Sequence, residues 1–400
     1  MVVQILGQIL GRTVGLVEAG FTSTEVPDAR TGIEYGADAE AVIGAVGRLW
    51  RADLDAVRAV ITAPANSAAW TEASLNWLVR DDTDPLPKLG GTQRVGASDV
   101  LRLRATTELF AQLDNRFGGV HSRRSLVQYL ETEVSTLLAG NYTAESGRGL
   151  FGAAAEATLL AAWMSYDAGI QGLAQRYFIQ ALQLAQISGD VLLAGSVLDA
   201  MSHQATYLGQ WHQAANLARA ARAGTRGLAT ATLTAHFHAM EARATAVGGD
   251  SVATQRALGE AVRAFERRSP GDDPNWISYF DDAELAAEFS HCFRDIGRAK
   301  DTVTYAQRAL ANVGTSPRSD FFVTMVLATG HLQQGEIEQA CHVVQSALTI
   351  GEQVQSVRCV EYLRTFRAAL AEADSPGLVA ALDEWAAEHR LWIASSSVQP

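Results

Sequence analysis

Apolar residues recur along this chain three and four positions apart, the period of a helix with one buried face, and almost nowhere alternate with polar ones. From Asp38 to Ile61 the pattern puts Val42, Val46, Leu49, Leu54, Val57 and Val60 on one side, and Ala68 to Val79 follows with Trp70, Leu75, Trp77 and Leu78. Ahead of these, Val2 to Leu10 fits a short helix ending at Gly11, after which Gly15, Gly20, Pro27, Gly32 and Gly36 break the chain into loop. Asp81 to Ser98, DDTDPLPKLGGTQRVGAS, reads as a Pro/Gly linker. Beyond it Ser98 or Asp99 is placed to cap a helix running to Phe117, and Ser122 or Ser125 to start another ending near Gly140. Helix-period segments continue from Gly149 onward, so the fold class predicted is all-α.

A longer period lies over the short one. Gly169, Gly209, Gly249, Gly297 and Gly335 stand at intervals of 40, 40, 48 and 38 residues. Seven positions before each glycine is a small residue: Ala162, Ser202, Ala242, Ser290 and Ala328. Five after stand Ala174, Ala214, Thr254, Thr302 and Ala340; nine after, Phe178, Ala218, Leu258, Ala306 and Val344; twelve after, alanine each time, at 181, 221, 261, 309 and 347. Small residues on both sides of a turn glycine let two antiparallel helices approach closely, so the spacing predicts helical hairpins stacked in series. This register resembles the tetratricopeptide repeat, with an interval longer than that family's usual length of about 34 residues. The resemblance implies a right-handed superhelical array, an α-solenoid, over 99–374. Around it are expected a helical connector over 37–80, the linker over 81–98, and a C-terminal capping helix and tail over 375–400.

Three further runs, LDNRFGGVHSRRSLVQYL from Leu113, GLFGAAAEATLLAAWMSYDAGIQGLAQRYFIQALQLAQISGD from Gly149 and MSHQATYLGQ from Met201, resemble the sensor region of actinobacterial regulators. Those proteins join a helix-turn-helix of the xenobiotic-response-element type to a tetratricopeptide-like C-terminal region. ILGQILGRTVGLVEAGF, Ile5 to Phe21, is similar to the end of that helix-turn-helix. Residues 1–36 are therefore expected to be a remnant of it plus loop, with the recognition helix missing.

Composition narrows the function. A formal net charge of -12, with Arg12 and Arg30 the only strong bases in the first 30 residues, opposes nucleic-acid binding by this chain alone. Cys292, Cys341 and Cys359 are too few and too scattered for a disulfide framework or zinc site and suit a cytoplasmic protein. No apolar run is long enough to span a membrane.

Enzyme-like patterns are weak. Gly147, Gly149 and Gly152 spell G-x-G-x-x-G but follow no strand. His236, His238 and Glu241 form H-x-H-x-x-E, yet residues two apart diverge on a helix. His291 beside Cys292 diverges likewise, and nothing marks Glu284 and Glu288 as an acid and base pair. No enzyme activity, cofactor or metal is expected.

By the tetratricopeptide resemblance, positions thirteen, ten, six and three before each turn glycine line a concave groove. They include Glu156, Trp163 and Tyr166; Asp199, His203 and Thr206; His236 and Arg243; Glu284, His291 and Arg294; and Phe322, Met325 and Thr329. Aromatic area at Trp163 and Tyr166 beside Arg243 and Arg294 suits a peptide or ligand carrying a carboxylate. The expected function is a transcriptional regulatory protein whose array senses a peptide, small ligand or protein partner, with homodimerisation open. The alternative is a stand-alone adaptor with no DNA binding; DNA is expected as a partner only if a helix-turn-helix lies upstream or a partner supplies one.

Overall fold

The computed structural model describes residues 27–79, 86, 91–269, 271–312 and 316–396. The helix expected over Val2 to Leu10, most of the 1–36 remnant, residue 80 of the connector and residues 81–85 and 87–90 of the linker lie outside them. Among the described residues the chain is helical throughout, with no strand and a single isolated bridge between Arg94 and Asn141.

Five helix pairs form the body: α7 (Ala144–Asp167) with α8 (Gln171–Ser188), α9 (Val191–Tyr207) with α10 (Trp211–Gly224), α11 (Ala231–Val247) with α12 (Ser251–Phe265), α13 (Asp282–Asp295) with α14 (Ala299–Ala309), and α15 (Pro317–Gln333) with α16 (Ile337–Ile350). Each pair turns at one of the five glycines, whose φ lies between 70° and 78°. A side chain there would strain the left-handed backbone. The N–H after each glycine bonds the carbonyl five residues back, as Arg298 does to Phe293 at 2.8 Å and Gln210 to Ala205 at 2.9 Å, which closes a Schellman motif on the first helix's free carbonyls. The small residues are where the helices touch: Ala162, Ser202, Ala242, Ser290 and Ala328 are fully buried, as are Ala181, Ala221, Ala261 and Ala347. Ala309 ends α14 and is only partly buried, because the chain tightens there into the 3-10 turn Leu310–Asn312.

Upstream stand α1 (Ala39–Leu54), α2 (Arg58–Ile61), α3 (Ser67–Val79), α4 (Ala97–Phe117) and α5 (Gly119–Tyr129), the last continuing through a π-helical turn, Leu130–Val134, into α6 (Ser135–Leu138). The helix expected over 38–61 breaks after Leu54, and Ala56 takes a φ of 50°. Asp99 does not begin α4; it sits inside the first turn and accepts from the Gly96 N–H at 2.9 Å as the return half of a capping box. The next helix begins at Gly119 rather than at Ser122 or Ser125, since Gly118, at φ 85°, makes the turn. The connector helices α1 and α3 lie along α8 and α10. A Cβ at Gly172 of α8 would fall 1.8 Å from the Ala63 carbonyl oxygen, so this contact depends on glycine.

After α16 come α17 (Val357–Ala371), α18 (Pro376–Trp385) and α19 (Arg390–Ser396), so the single helix expected over 378–389 ends early. Trp392 is buried, with its Nε1 donating to Asp383 at 3.0 Å and the Arg367 guanidinium 4.1 Å from its ring centre, while Trp385 stays half exposed.

Two ends of the array meet. Gln355 donates to the Phe117 carbonyl at 2.6 Å, and Arg318 on α15 pairs with Asp114 on α4 at 3.2 Å. Asp167, at the end of α7, accepts from the Gly119 N–H at 2.8 Å and from the Ser356 hydroxyl at 2.7 Å. The longest interval, between Gly249 and Gly297, carries an extra segment with Ile277 and Phe280 buried. Beside it a cleft of about 240 Å3 opens among Phe265, Asp282, Phe289 and Tyr305.

Candidate binding site

The first helices of successive pairs touch one another, α7 with α9, α9 with α11, α11 with α13 and α13 with α15, and α17 continues the row beside α15. Arg358 of α17 reaches back across it: its guanidinium lies 4.4 Å from the Tyr166 ring centre on α7, 5.4 Å from Tyr207 on α9 and 4.3 Å from Phe322 on α15. The first helices and α17 therefore share a common face, the inner face, that is polar and aromatic.

All fourteen residues expected at the groove lie on these first helices. Trp163 packs edge-on against Tyr166 at 5.6 Å and against His203 at 5.4 Å, and Tyr166 meets His203 at 5.6 Å, so two neighbouring pairs share one aromatic cluster. His236 Nδ1 lies 2.5 Å from Asp199 Oδ2, joining α11 to α9. Arg243 Nη1 lies 2.5 Å from Glu288 Oε2, joining α11 to α13. His291 faces Tyr362 of α17 edge-on at 6.2 Å, and the Arg294 guanidinium stands 5.7 Å from the same ring. The two arginines read from sequence as a clamp for a ligand carboxylate thus already hold carboxylates of the chain, Arg243 that of Glu288 and Arg294 that of its neighbour Asp295 at 2.6 Å.

The electrostatics of this face are uneven. His203 and His291 are held well below the ordinary histidine range, first by burial and then by the nearby Arg243, with Arg358 and Arg294 adding to it, so both are neutral imidazoles at pH 7. Burial also opposes a charge on His236, but Asp199 beside it prevails and its pKa is raised. Glu284 is pushed up to about 7 by burial and by Glu288, against the pull of His236. Among the described residues, buried polar atoms without a hydrogen-bond partner gather here: Tyr166 Oη, His203 Nδ1, His291 Nδ1 and the Nε atoms of Arg243, Arg318 and Arg358.

Arg318, Arg358 and Tyr362 were not among the residues read from sequence. Arg358 and Tyr362 lie past the last turn glycine, so no register position pointed to them; the one available signal was that an amphipathic helix following a hairpin repeats the role of a first helix.

The remaining patterns resolve simply. Gly147, Gly149 and Gly152 are inside α7. His236 turns inward to Asp199, whereas His238 faces the cluster where Arg219 and Arg222 pair with Glu241 at 2.7 and 2.6 Å. Cys292 is packed in the core. Among the described residues, no group of three or more side chains is arranged to hold a metal ion, and no helix is long and apolar enough to cross a membrane. A scan against models of known protein families matches none to this chain, and a search of curated proteins finds no match to it.

Proposed function

We propose that the chain is the sensing region of a regulatory protein and that its inner face, built from the first helices of a right-handed tetratricopeptide-like superhelix, binds a peptide, small ligand or protein partner. The observation that carries this is the concentration of unpartnered buried polar atoms on one face, at Tyr166, His203, His291 and Arg358. A fold leaves such groups unmet at a cost of about 1–3 kcal/mol each, and a bound ligand is one way of meeting them. In this reading a ligand that touches several first helices changes their mutual tilt, and small rotations add along the array. The resemblance of the sequence to helix-turn-helix regulators supports transcription as the process regulated.

The net charge of -12 favours a second reading, an adaptor that never touches DNA. A gel-shift assay with the chain's own promoter region at low salt separates the two: a shift supports regulation through DNA, and its absence leaves the adaptor. Binding itself is tested by hydrogen exchange with and without fractionated peptide and metabolite extracts. Protection is expected on α7, α9, α11, α13 and α17; protection confined to α8, α10 and α12, or none, contradicts the reading.

A further inference from the structure

Among the inner-face arginines, Arg358 stands apart. Arg243, Arg294 and Arg318 each lie within 3.2 Å of a carboxylate oxygen of the chain. Arg358 is 8% exposed and donates no hydrogen bond among the described residues. Its only ion pair there is with Asp167, at 3.9 Å, and Asp167 is already engaged by the Gly119 N–H and the Ser356 hydroxyl. What surrounds the guanidinium instead is aromatic: Tyr166, Tyr207 and Phe322. Aromatic faces stabilise a cation but do not replace the directed acceptors a buried guanidinium requires. Close by are a phenol with no acceptor, Tyr166 Oη, and two neutral imidazoles with unpartnered nitrogens, His203 and His291. A planar cation, uncharged hydrogen-bonding groups and aromatic rings make a receptor for a planar anion joined to an apolar body.

We propose that Arg358 is the anchor for a carboxylate-bearing ligand with an aromatic or aliphatic body, the carboxylate taking both guanidinium donors and the body lying against Tyr166, Tyr207 and Phe322. The planar fork favours carboxylate, and one such cation without a second free one beside it gives little for the multiple charges of a phosphate. The inference rests on the reading of the inner face as a binding surface and adds the chemistry of the ligand and the residue that selects it.

The test uses the full chain, with hydrocinnamate and its amide as probes, and alanyl-phenylalanine with its C-terminus free or amidated, followed by thermal shift and calorimetric titration. The acids are expected to raise the Tm of the parent and the amides not to. In Arg358→Met and in Arg358→Gln, each checked for retained helix content, acid affinity should fall about tenfold or more. Tyr166→Phe should weaken it by about threefold, a smaller loss because the phenol is one neutral contact. Stronger binding of hydrocinnamate than of the free dipeptide assigns the site to small acids, and the reverse order to a peptide terminus; both support the carboxylate anchor. No shift with either acid, equal shifts with acids and amides, or undiminished acid binding in both Arg358 variants overturns it. If inner-face exchange protection by the extracts persists in those variants, the binding surface stands and only the anion anchor falls.

Discussion

Arg176, on α8 of the first helix pair, and Arg358, on α17 beyond the last pair, are both buried arginines, and their surroundings are opposite. Arg176, on the outer helix α8, is 1% exposed and gives Nε to the Thr31 carbonyl at 3.0 Å, Nη1 to the Gly172 carbonyl at 2.8 Å and Nη2 to the Ala29 carbonyl. Its neighbours do the same work. Gln175 exchanges two bonds with the Asn66 backbone at 2.7 and 2.8 Å, and Gln180 donates to the Gly32 carbonyl at 2.9 Å. All of these contacts except the Gly172 bond, which lies within α8, tie residues 27–79 to α8. Arg358, on the inner face, has rings around it and, among the described residues, no acceptor within hydrogen-bond distance of its guanidinium. The difference teaches that burial of a polar side chain is not a sign of function; burial with its bonding capacity unmet is.

The strongest perturbation lies between the two faces. Ala181→Glu puts an unpaired carboxylate into the contact of α7 with α8 and should cost about 4 kcal/mol or more in urea unfolding, disturbing outer and inner faces together. Arg176→Met should cost about 3 kcal/mol, since it leaves the Thr31 and Ala29 carbonyls without their donor and removes a third bond to Gly172, and should make residues 27–36 more sensitive to protease. On the inner face, Glu284→Gln tests whether charge there is a burden. The Glu284 carboxyl, with Glu288, Asp281, His236 and Arg318 around it, has a folded pKa of about 7 against an ordinary 4.5. Its protonated form is favoured by folding, so its contribution to stability is complete below about pH 4.5 and is lost as pH rises through about 7. The Gln variant should match the parent near pH 4 and exceed it by about 1–2 kcal/mol at pH 8; a difference that does not grow with pH refutes the sign. Gln180→Ala should cost about 1 kcal/mol, one buried hydrogen-bonding side chain lost from the connector contact.

The sequence made the scaffold legible because its physics is local. A positive φ at five turns demands glycine, and close helix approach demands Ala or Ser seven before and Ala twelve after, so Gly169, Ala162 and Ala181 could be read without knowing where the array runs. The inward position of Trp163, Asp199, His203 and Arg243 followed from that register. Their partners did not. Glu288 lies 45 residues from Arg243, and Arg358 reaches Tyr166 from the far end of the array, contacts between elements distant in sequence that no local spacing encodes. The docking of 27–79 on α8 was hidden for a similar reason: Gln175 and Gln180 look like an exposed polar face until the connector covers them.

The most direct test sets Arg176→Met beside Arg358→Met in equilibrium urea unfolding without ligand. Loss of about 3 kcal/mol in the first, with the second unchanged or more stable because a buried cation without a close acceptor has been removed, is the expected result. Equal losses in both would contradict it, since Arg358 would then be part of the scaffold like Arg176.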